Sequence, residues 1–250
     1  MARATPPAHR KLLEMAELAP REHVVDVACG TGLVTLPAAE AVGPDGRVEA
    51  TDLSDEMVAI VRDRAASAGL DARITAARMS AEDLGFDAAR FDAALCALGL
   101  MYVPDPLRAL TEMRRVVKPG GRAVAAVWGA RDRCGWAGIF PVVDARVNTE
   151  VCPLFFALGT GDSLGRTFER AGFGGVRTER VTTTLEYGSA AEALTAAFEG
   201  GPVAMAYDRF DAPTREAAHR EYLDTIAGYR AGDGYRIPGE FVMVRGVRRE

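Results

Sequence analysis

The sequence predicts an α/β fold, built on a mostly parallel seven-stranded sheet with helices on both faces and a helical cap inserted before the last strand. In the first half, short apolar runs alternate with helical periodicity, at the spacing of strand–helix–strand units. These runs are apolar throughout, as is typical of strands covered on both faces. In the second half, an Ala-, Glu- and Tyr-rich segment of helical periodicity separates two long strand-like runs.

The strands are predicted from apolar or Thr/Val-rich runs bounded by turn residues. Five lie in the first half, at residues 23–29, 47–52, 72–77, 91–97 and 122–128. Two longer ones follow in the second half, at residues 176–187 and 235–247.

The helices are predicted from capping and stop signals. Thr5 followed by Pro6 is typical of a helix start. Ser54 caps a helix that Gly69 ends, and Pro37 is expected to kink or delay the helix in which it lies. The Lys-Pro-Gly-Gly sequence at residues 118–121 is predicted to be a turn. The predicted helices cover residues 5–18, 33–42, 54–69, 105–117, 135–148 and 160–171, with helical segments over 189–230.

Composition narrows the functional class. The chain has 250 residues, 48% of them hydrophobic and 26% charged, which excludes disordered and fibrous proteins. Its net charge of −5 argues against nucleic acid as a partner. The length suits a core of residues 1–188 and 235–250 with a cap of residues 189–234. We expect the cap to form the site for the acceptor substrate.

Neither a metal site nor a membrane segment is predicted. The cysteines form no Cys-x-x-Cys pair, which argues against zinc and redox motifs. Residues 1–20 carry charges and no apolar leader, and the longest apolar run, 93–101, is too short to span a membrane. We therefore expect a cytoplasmic protein. The four cysteines are Cys29, Cys96, Cys134 and Cys152.

A glycine loop is the strongest motif. Residues 24–32 read VVDVACGTG, an apolar strand that ends in small residues and opens a helix. Glycines allow a ligand to approach the backbone closely, and in open α/β sheets ligands bind at such strand ends. Asp52 ends the next strand, where a carboxylate can accept hydrogen bonds from ribose hydroxyls. A dinucleotide fingerprint needs a third glycine, and Thr35 holds that position, so a nucleoside ligand without pyrophosphate is favoured.

Five segments in this order resemble the motifs of class I S-adenosylmethionine (SAM)-dependent methyltransferases, and they are similar to the ubiquinone/menaquinone-biosynthesis branch. The resemblance covers about residues 20–128 and implies SAM as cofactor, with S-adenosylhomocysteine as product. The segments are residues 26–32 (DVACGTG), 51–54 (TDLS), 81–84 (AEDL), 91–93 (FDA) and 110–121 (LTEMRRVVKPGG).

The resemblance also implies roles for single residues. Gly30 and Gly32 let the backbone pass under the methionine part of SAM, Asp26 and Ala28 lie near its amino end, and Asp52 takes the ribose diol. Cys29 and Thr31 complete the loop.

Further implied contacts surround the adenine and the methyl group. Leu53 and Met57 pack on the adenine faces. Ala81 and Glu82 meet its edge, next to Ser80, which stands where the family usually has an acidic residue. The floor near the departing methyl group is lined by Cys96, Ala97 and Leu98.

The predicted reaction is methyl transfer to a small organic acceptor, apolar or aromatic because the loop after the fourth strand, residues 97–104, is apolar. In-line transfer from a sulfonium depends mainly on orientation and exclusion of water. No catalytic group is assigned; candidates in the cap are Tyr207, His219 and Tyr222. Open alternatives are a SAM-binding protein, a SAM-assisted enzyme that does not methylate, and an NAD(P)-dependent oxidoreductase.

Overall fold

The computed structural model describes residues 6–147 and 155–250. Three sequence predictions lie outside these ranges: the cap at Thr5, the end of the fifth helix at Asn148, and Cys152.

Eight strands form one sheet in the described residues, one more than predicted. The additional strand, β7, has two residues and pairs antiparallel with β8. The strands are β1 (His23–Val27), β2 (Arg47–Asp52), β3 (Ile74–Arg78), β4 (Phe91–Ala97), β5 (Val117–Trp128), β6 (Phe173–Tyr187), β7 (Arg230–Ala231) and β8 (Gly234–Arg248).

Nine α-helices lie before and between the strands in the described ranges. They are α1 (Pro6–Ala16), α2 (Thr35–Ala41), α3 (Asp55–Ser67), α4 (Pro106–Val116), α5 (Ile139–Asp144), α6 (Ser163–Arg170), α7 (Ala190–Leu194), α8 (Ala204–Tyr207) and α9 (Ala212–Thr225). The caps of α3 and α4 are as sequence signals suggest: Ser54 accepts from the Met57 N–H, and Asp105 accepts from the Arg108 N–H.

The strand order is β3-β2-β1-β4-β5-β8-β6, with β7 beside β8. β1 lies between β2 and β4 and is parallel to both, so Val25 pairs with Glu49 on one side and Ala94 on the other. β4 and β5 are also parallel. The carboxyl ends of β1, β2 and β4 therefore lie side by side, which confirms the mostly parallel α/β fold.

The bounds of several predicted segments were wrong in detail. Residues 118–121 belong to β5 rather than to a turn, because Val117 already pairs with Phe91 and the register shifts before Arg122 pairs with Ala93. The strand before the glycine loop ends at Val27 instead of residue 29, since the backbone at Ala28 adopts a positive φ. Helix α2 begins only at Thr35, so Pro37 falls in its first turn, where an absent N–H breaks no helical bond.

Two compact units divide the described residues. One, the glycine-loop unit, comprises Ala8–Val127, Gly161–Glu179 and Val242–Glu250. Its core includes fully buried residues of the central strands, among them Val24, Val25, Ala94 and Leu95. Burying these side chains stabilises the sheet by about 1.5–3 kcal/mol for each large aliphatic residue.

The other unit, here the aromatic unit, comprises the described parts of Met1–Pro7 and Trp128–Thr160 together with Arg180–Phe241. Its core is a cluster of rings at centroid separations of 4.2–5.9 Å. The pairs are edge-to-face or tilted, and aromatic pairs add about 0.5–1.5 kcal/mol each beyond area burial. The cluster contains Trp128, Trp136, Phe140, Phe155, Phe156 and Phe241.

No helix within residues 6–147 and 155–250 is long and apolar enough to cross a membrane.

Candidate functional site

The glycine loop after β1 has a left-handed backbone at three positions. Ala28, Gly30 and Gly32 have φ values of +54°, +52° and +79°. Glycine tolerates this region without strain, whereas Ala28 adopts it at a steric cost. A Cβ added to Gly30 would meet no atom within 4 Å, so the space above this part of the loop is open. The Thr31 carbonyl accepts a hydrogen bond from Arg64 Nη1 at 2.5 Å, which fixes the far side of the loop.

Asp52 connects the end of β2 to the glycine loop. Its Oδ2 accepts from the Gly30 N–H at 2.8 Å, and its Oδ1 accepts from the Ser54 N–H at 3.0 Å. The side chain is half-buried. Because each carboxylate oxygen has two lone pairs, both oxygens keep an acceptor site beyond these backbone bonds. The structure thus brings Gly30 and Asp52 together, as the sequence predicts.

Asp26 lies inside β1 and is completely buried. Thr35 Oγ1 donates to its Oδ2 at 2.6 Å, while its Oδ1 has no hydrogen-bond partner in the described chain. Burial raises the pKa of the Asp26 carboxyl to about 7, the Thr35 hydrogen bond lowers that pKa, and the charge of Asp52 raises it. From the sequence, Thr35 was interpreted only as the residue that replaces a third glycine. Its hydroxyl, close in sequence to an acidic residue inside a strand, was the signal that could have predicted the hydrogen bond to Asp26.

Two apolar residues follow Asp52. Leu53 is 65% exposed, and Met57 is half-buried in the first turn of α3. An exposed Leu beside a half-buried Met fits the predicted role of packing on a flat ring, a role that stays a prediction.

The segment after β3 is tied to the start of α4. The Glu82 N–H donates to Ser80 Oγ at 3.2 Å, and Glu82 Oε1 accepts from the Asp105 N–H at 2.9 Å. Ser80, Ala81 and Glu82 are all half-buried. One oxygen of Glu82 therefore already accepts one hydrogen bond, and Ser80 bonds the backbone of its own turn.

The end of β4 packs closely against the glycine loop. A Cβ added to Gly99 would lie 2.5 Å from Ala28 Cβ and 2.9 Å from Cys96 Sγ, so only glycine fits there. Ala97 and Leu98 are half-buried, and Leu98 has a φ of +61°.

Two thiols lie in this region, those of Cys29 and Cys96. Burial raises the pKa of both, that of Cys96 to about 12, and the charges of Asp26 and Asp52 add to this shift. Both therefore stay protonated, and neither is a nucleophile at neutral pH.

A clamp of Glu112 and Arg115 was missed by sequence reasoning. Arg115 donates through Nη1 to the Phe86 carbonyl at 2.7 Å and through Nη2 to the Leu84 carbonyl at 2.6 Å. Glu112 Oε2 accepts from the Leu84 N–H at 2.9 Å and also from Arg115. The two residues, one turn apart on α4, thus hold the segment that follows Ser80. The available signal in the sequence was their spacing of three residues, which places both side chains on one face of the helix.

The three catalytic candidates of the predicted cap cluster within the aromatic unit. The Tyr207 hydroxyl lies 2.8 Å from His219 Nε2, and the two rings stack. Phe198 contacts Tyr207, His219 and Tyr222 at centroid separations of 4.8, 5.0 and 5.7 Å. Burial and the nearby Arg215 lower the pKa of His219, which keeps its imidazole neutral at neutral pH. Whether this cluster takes part in catalysis stays a prediction.

Comparison with known proteins supports the class inferred from the loop. Residues 24–121 match a family model described as a methyltransferase domain. The match includes the glycine loop, Asp52, the segment after β3 and the Glu112–Arg115 clamp.

The matching relatives include two methyltransferases at 35% and 38% identity. A demethylmenaquinone methyltransferase of Bacillus cytotoxicus is 35% identical over 115 residues, 46% of this chain and 48% of that protein. The ubiquinone/menaquinone biosynthesis C-methyltransferase UbiE of Ectopseudomonas mendocina is 38% identical over 113 residues, 45% of this chain and 44% of that protein. The chain thus spans about half the length of these relatives.

Solved structures share the fold at low identity. YcgJ of Bacillus subtilis superposes with a TM-score of 0.64 at 17% identity, covering 98% of this chain and 99% of that one. A Haemonchus contortus phosphoethanolamine N-methyltransferase, solved with S-adenosylhomocysteine, has a TM-score of 0.63 at 16% identity, covering 98% of this chain and 53% of that one. The cyclase SpnF has a TM-score of 0.60 at 21% identity, covering 97% of this chain and 80% of that one.

The residues present fit the cofactor of this family. Open space above Gly30 and the remaining acceptor capacity of Asp52 suit a ribose, and the buried Asp26 Oδ1 lacks a hydrogen-bond partner within the described residues. Residues 24–121 of this chain therefore match the methyltransferase domain family.

Proposed function

We propose that the whole protein transfers a methyl group from SAM to a small organic acceptor. The observation that carries the proposal is the Asp52 carboxylate, which bonds the glycine loop at adjacent strand ends and keeps free acceptor sites. When bound, SAM supplies a methyl group already activated on a sulfonium. The chain's own residues then have to bind SAM and the acceptor, orient them for in-line transfer and exclude water.

Binding is assigned to the glycine-loop unit. Asp52 would accept from the ribose hydroxyls, and the backbone of Gly30 and Gly32 would line the methionine part. Leu53 and Met57 would cover the adenine, while the Glu112–Arg115 clamp holds the segment that meets its edge.

The acceptor is proposed to be apolar or aromatic. The names of the matching relatives point to quinone precursors, and residues 97–104 of this chain are apolar. Aromatic hydroxyl compounds and reduced naphthoquinones are therefore the first acceptors to test. We further propose residues 189–234 as the segment that recognises the acceptor, with Tyr207 and His219 as the pair that takes its proton.

Calorimetric titration tests the cofactor. We expect SAM and S-adenosylhomocysteine to bind with micromolar or tighter affinity and NAD⁺ not to bind, because Thr35 fills the third-glycine position and is bonded to Asp26. Binding of NAD⁺ without SAM would overturn the proposal. Gly32→Ala should weaken binding, since its Cβ would lie 3.0 Å from Leu36 Cδ1 and 3.1 Å from Val61 Cγ2, so that the loop or these side chains have to shift. Gly120→Ala is the matched control, with the same φ of +79° and open space around it.

A second measurement separates methyl transfer from SAM binding alone. Release of S-adenosylhomocysteine is followed while acceptors are screened. Release that depends on one acceptor supports the transferase. The cyclase among the structures of this fold makes the opposite outcome informative: an acceptor converted without release of S-adenosylhomocysteine would mean a SAM-assisted enzyme of another kind.

A further inference from the structure

Asp26 combines complete burial with an incomplete set of hydrogen bonds. Thr35, from α2, satisfies its Oδ2, and within the described chain nothing donates to its Oδ1. An ionised carboxylate in such a place is costly unless a cation or several donors face it. The hydroxyl of Thr35 is a single neutral donor.

The ionisable groups around Asp26 do not supply a cation. Asp52, from the neighbouring β2, is an acid, and it acts against ionisation of Asp26. Cys29 follows in the glycine loop and Cys96 lies on β4, the strand on the other side, and both thiols stay protonated. Burial, the dominant influence, also favours the neutral form and raises the pKa of the carboxyl to about 7.

We propose that Asp26 is a neutral carboxylic acid in the ligand-free protein and releases its proton to solvent when a cationic ligand enters the glycine loop. The inference rests on the proposed function, because SAM supplies the cation as an α-ammonium and a sulfonium. The O–H bond of the carboxyl breaks, the proton goes to buffer, and the ligand keeps its charge. Asp26 then acts as a buried counter-charge that exists only while the site is filled.

The sign of the pH effect follows from this proton release. Below about pH 7 the free protein holds the proton, so binding must first remove it, and affinity falls by up to about tenfold per pH unit. Above about pH 8 the carboxyl is already ionised, and its proton no longer contributes to the pH dependence of affinity.

Proton release is measured by titration calorimetry of the whole chain with SAM, at several pH values and in two buffers of different ionisation enthalpy. We expect a fraction of a proton released per SAM near pH 7 and none well above it. S-adenosylhomocysteine keeps the ammonium but lacks the sulfonium charge. Equal release with both ligands would assign the ammonium as the cation, and release with SAM alone would assign the sulfonium; both support the proposal.

Two variants identify the group. Asp26→Asn has the same shape and no proton to lose, so its affinity should not vary with pH and its binding should release no proton. Thr35→Val removes the bond that favours the ionised form, so the midpoint of the affinity profile should move to higher pH. Infrared difference spectra give an independent readout, since a protonated-carboxyl band should disappear when SAM binds to the wild type.

The outcomes are distinguishable. If SAM binds the wild type with no proton release and a flat pH profile, this inference is wrong while the proposed function stands. Proton release that persists in Asp26→Asn would assign another group and also overturn it. Absence of SAM binding at every pH would overturn the proposed function itself. If Asp26→Asn does not fold, the Thr35→Val midpoint and the wild-type infrared band decide.

Discussion

Asp52, at the end of β2, bonds the glycine loop through one carboxylate oxygen and the N-cap residue of α3 through the other. Its two oxygens accept from Gly30 and Ser54 backbone N–H groups on opposite sides, so the carboxylate fixes the loop before any ligand arrives. Charged hydrogen bonds of this kind contribute about 1.5–3 kcal/mol each, more than neutral ones. Asp52 therefore has a structural role in the loop, to which the proposed ribose contact adds a binding role.

Asp52→Ala should weaken SAM binding by roughly 2–3 kcal/mol, because the ribose hydroxyls and the loop lose their shared acceptor. It should also lower the melting temperature, since the Gly30 and Ser54 N–H groups lose their partner. Calorimetry and thermal unfolding measure the two effects. Asp63→Asn, an exposed carboxylate on α3, is the control and should change neither. Wild-type affinity in Asp52→Ala would rule Asp52 out as the ribose acceptor.

At the scale of elements, helix α4 positions the segment of residues 80–86, which follows β3. Glu112 and Arg115 project from one face of the helix and bond the backbone at Leu84 and Phe86. The fork of a guanidinium can bond two carbonyls at once, which a lysine ammonium does less rigidly. Through the clamp, α4, which follows β4, holds the backbone of the segment that follows β3 in place.

Arg115→Lys should loosen the segment and weaken SAM binding by a few-fold, because the charge stays while one carbonyl bond is lost. The cost in stability should be about 1 kcal/mol, since Arg115 is partly exposed. Hydrogen exchange of amides in residues 80–86 should become faster. Arg114→Lys, whose Nε donates to the Gly172 carbonyl instead, is the control. Unchanged exchange in Arg115→Lys would mean that the clamp does not hold the segment.

At the scale of the whole molecule, the chain forms two compact units with different cores. The glycine-loop unit is built on aliphatic strands, and the aromatic unit on packed rings. The family match, residues 24–121, falls within the first unit. The similarity to known methyltransferases therefore lies in the unit that holds the glycine loop and Asp52.

Tyr207→Phe tests a catalytic role in the aromatic unit. It removes one hydroxyl and its bond to His219, with little change in packing. If the pair takes a proton from the acceptor, turnover should fall by about 100-fold or more, the usual contribution of a general base. SAM affinity and melting temperature should stay near wild type. Tyr222→Phe is the comparison, and retention of full activity by both variants would exclude a role for either hydroxyl.

The pH dependence of turnover gives a second check on the same pair. Burial and Arg215 lower the pKa of His219, so the neutral, proton-accepting imidazole persists below its usual range. Activity that depends on it should therefore be lost only at pH values below the ordinary histidine pKa.

The sequence by itself determined the strand–helix alternation, the glycine loop and its pairing with Asp52. These follow from local rules: apolar runs form buried strands, glycines mark positive φ, and parallel strand ends share one edge of the sheet. The bounds of β2 and β4 were predicted to the residue, because each lies between strong turn or capping signals.

Only the tertiary structure decided which polar groups meet. Three contacts join residues that neither helical nor strand periodicity relates. They are the Thr35–Asp26 bond, the bonds of Arg115 to the Leu84 and Phe86 carbonyls, and the Tyr207–His219 contact. Strand pairing also overrode the turn signal at residues 118–121, since Val117 pairs with Phe91 on β4. Local propensities act over a few residues only. A buried polar group, in contrast, bonds to whichever partners the fold brings near it, and those partners depend on how the whole chain packs.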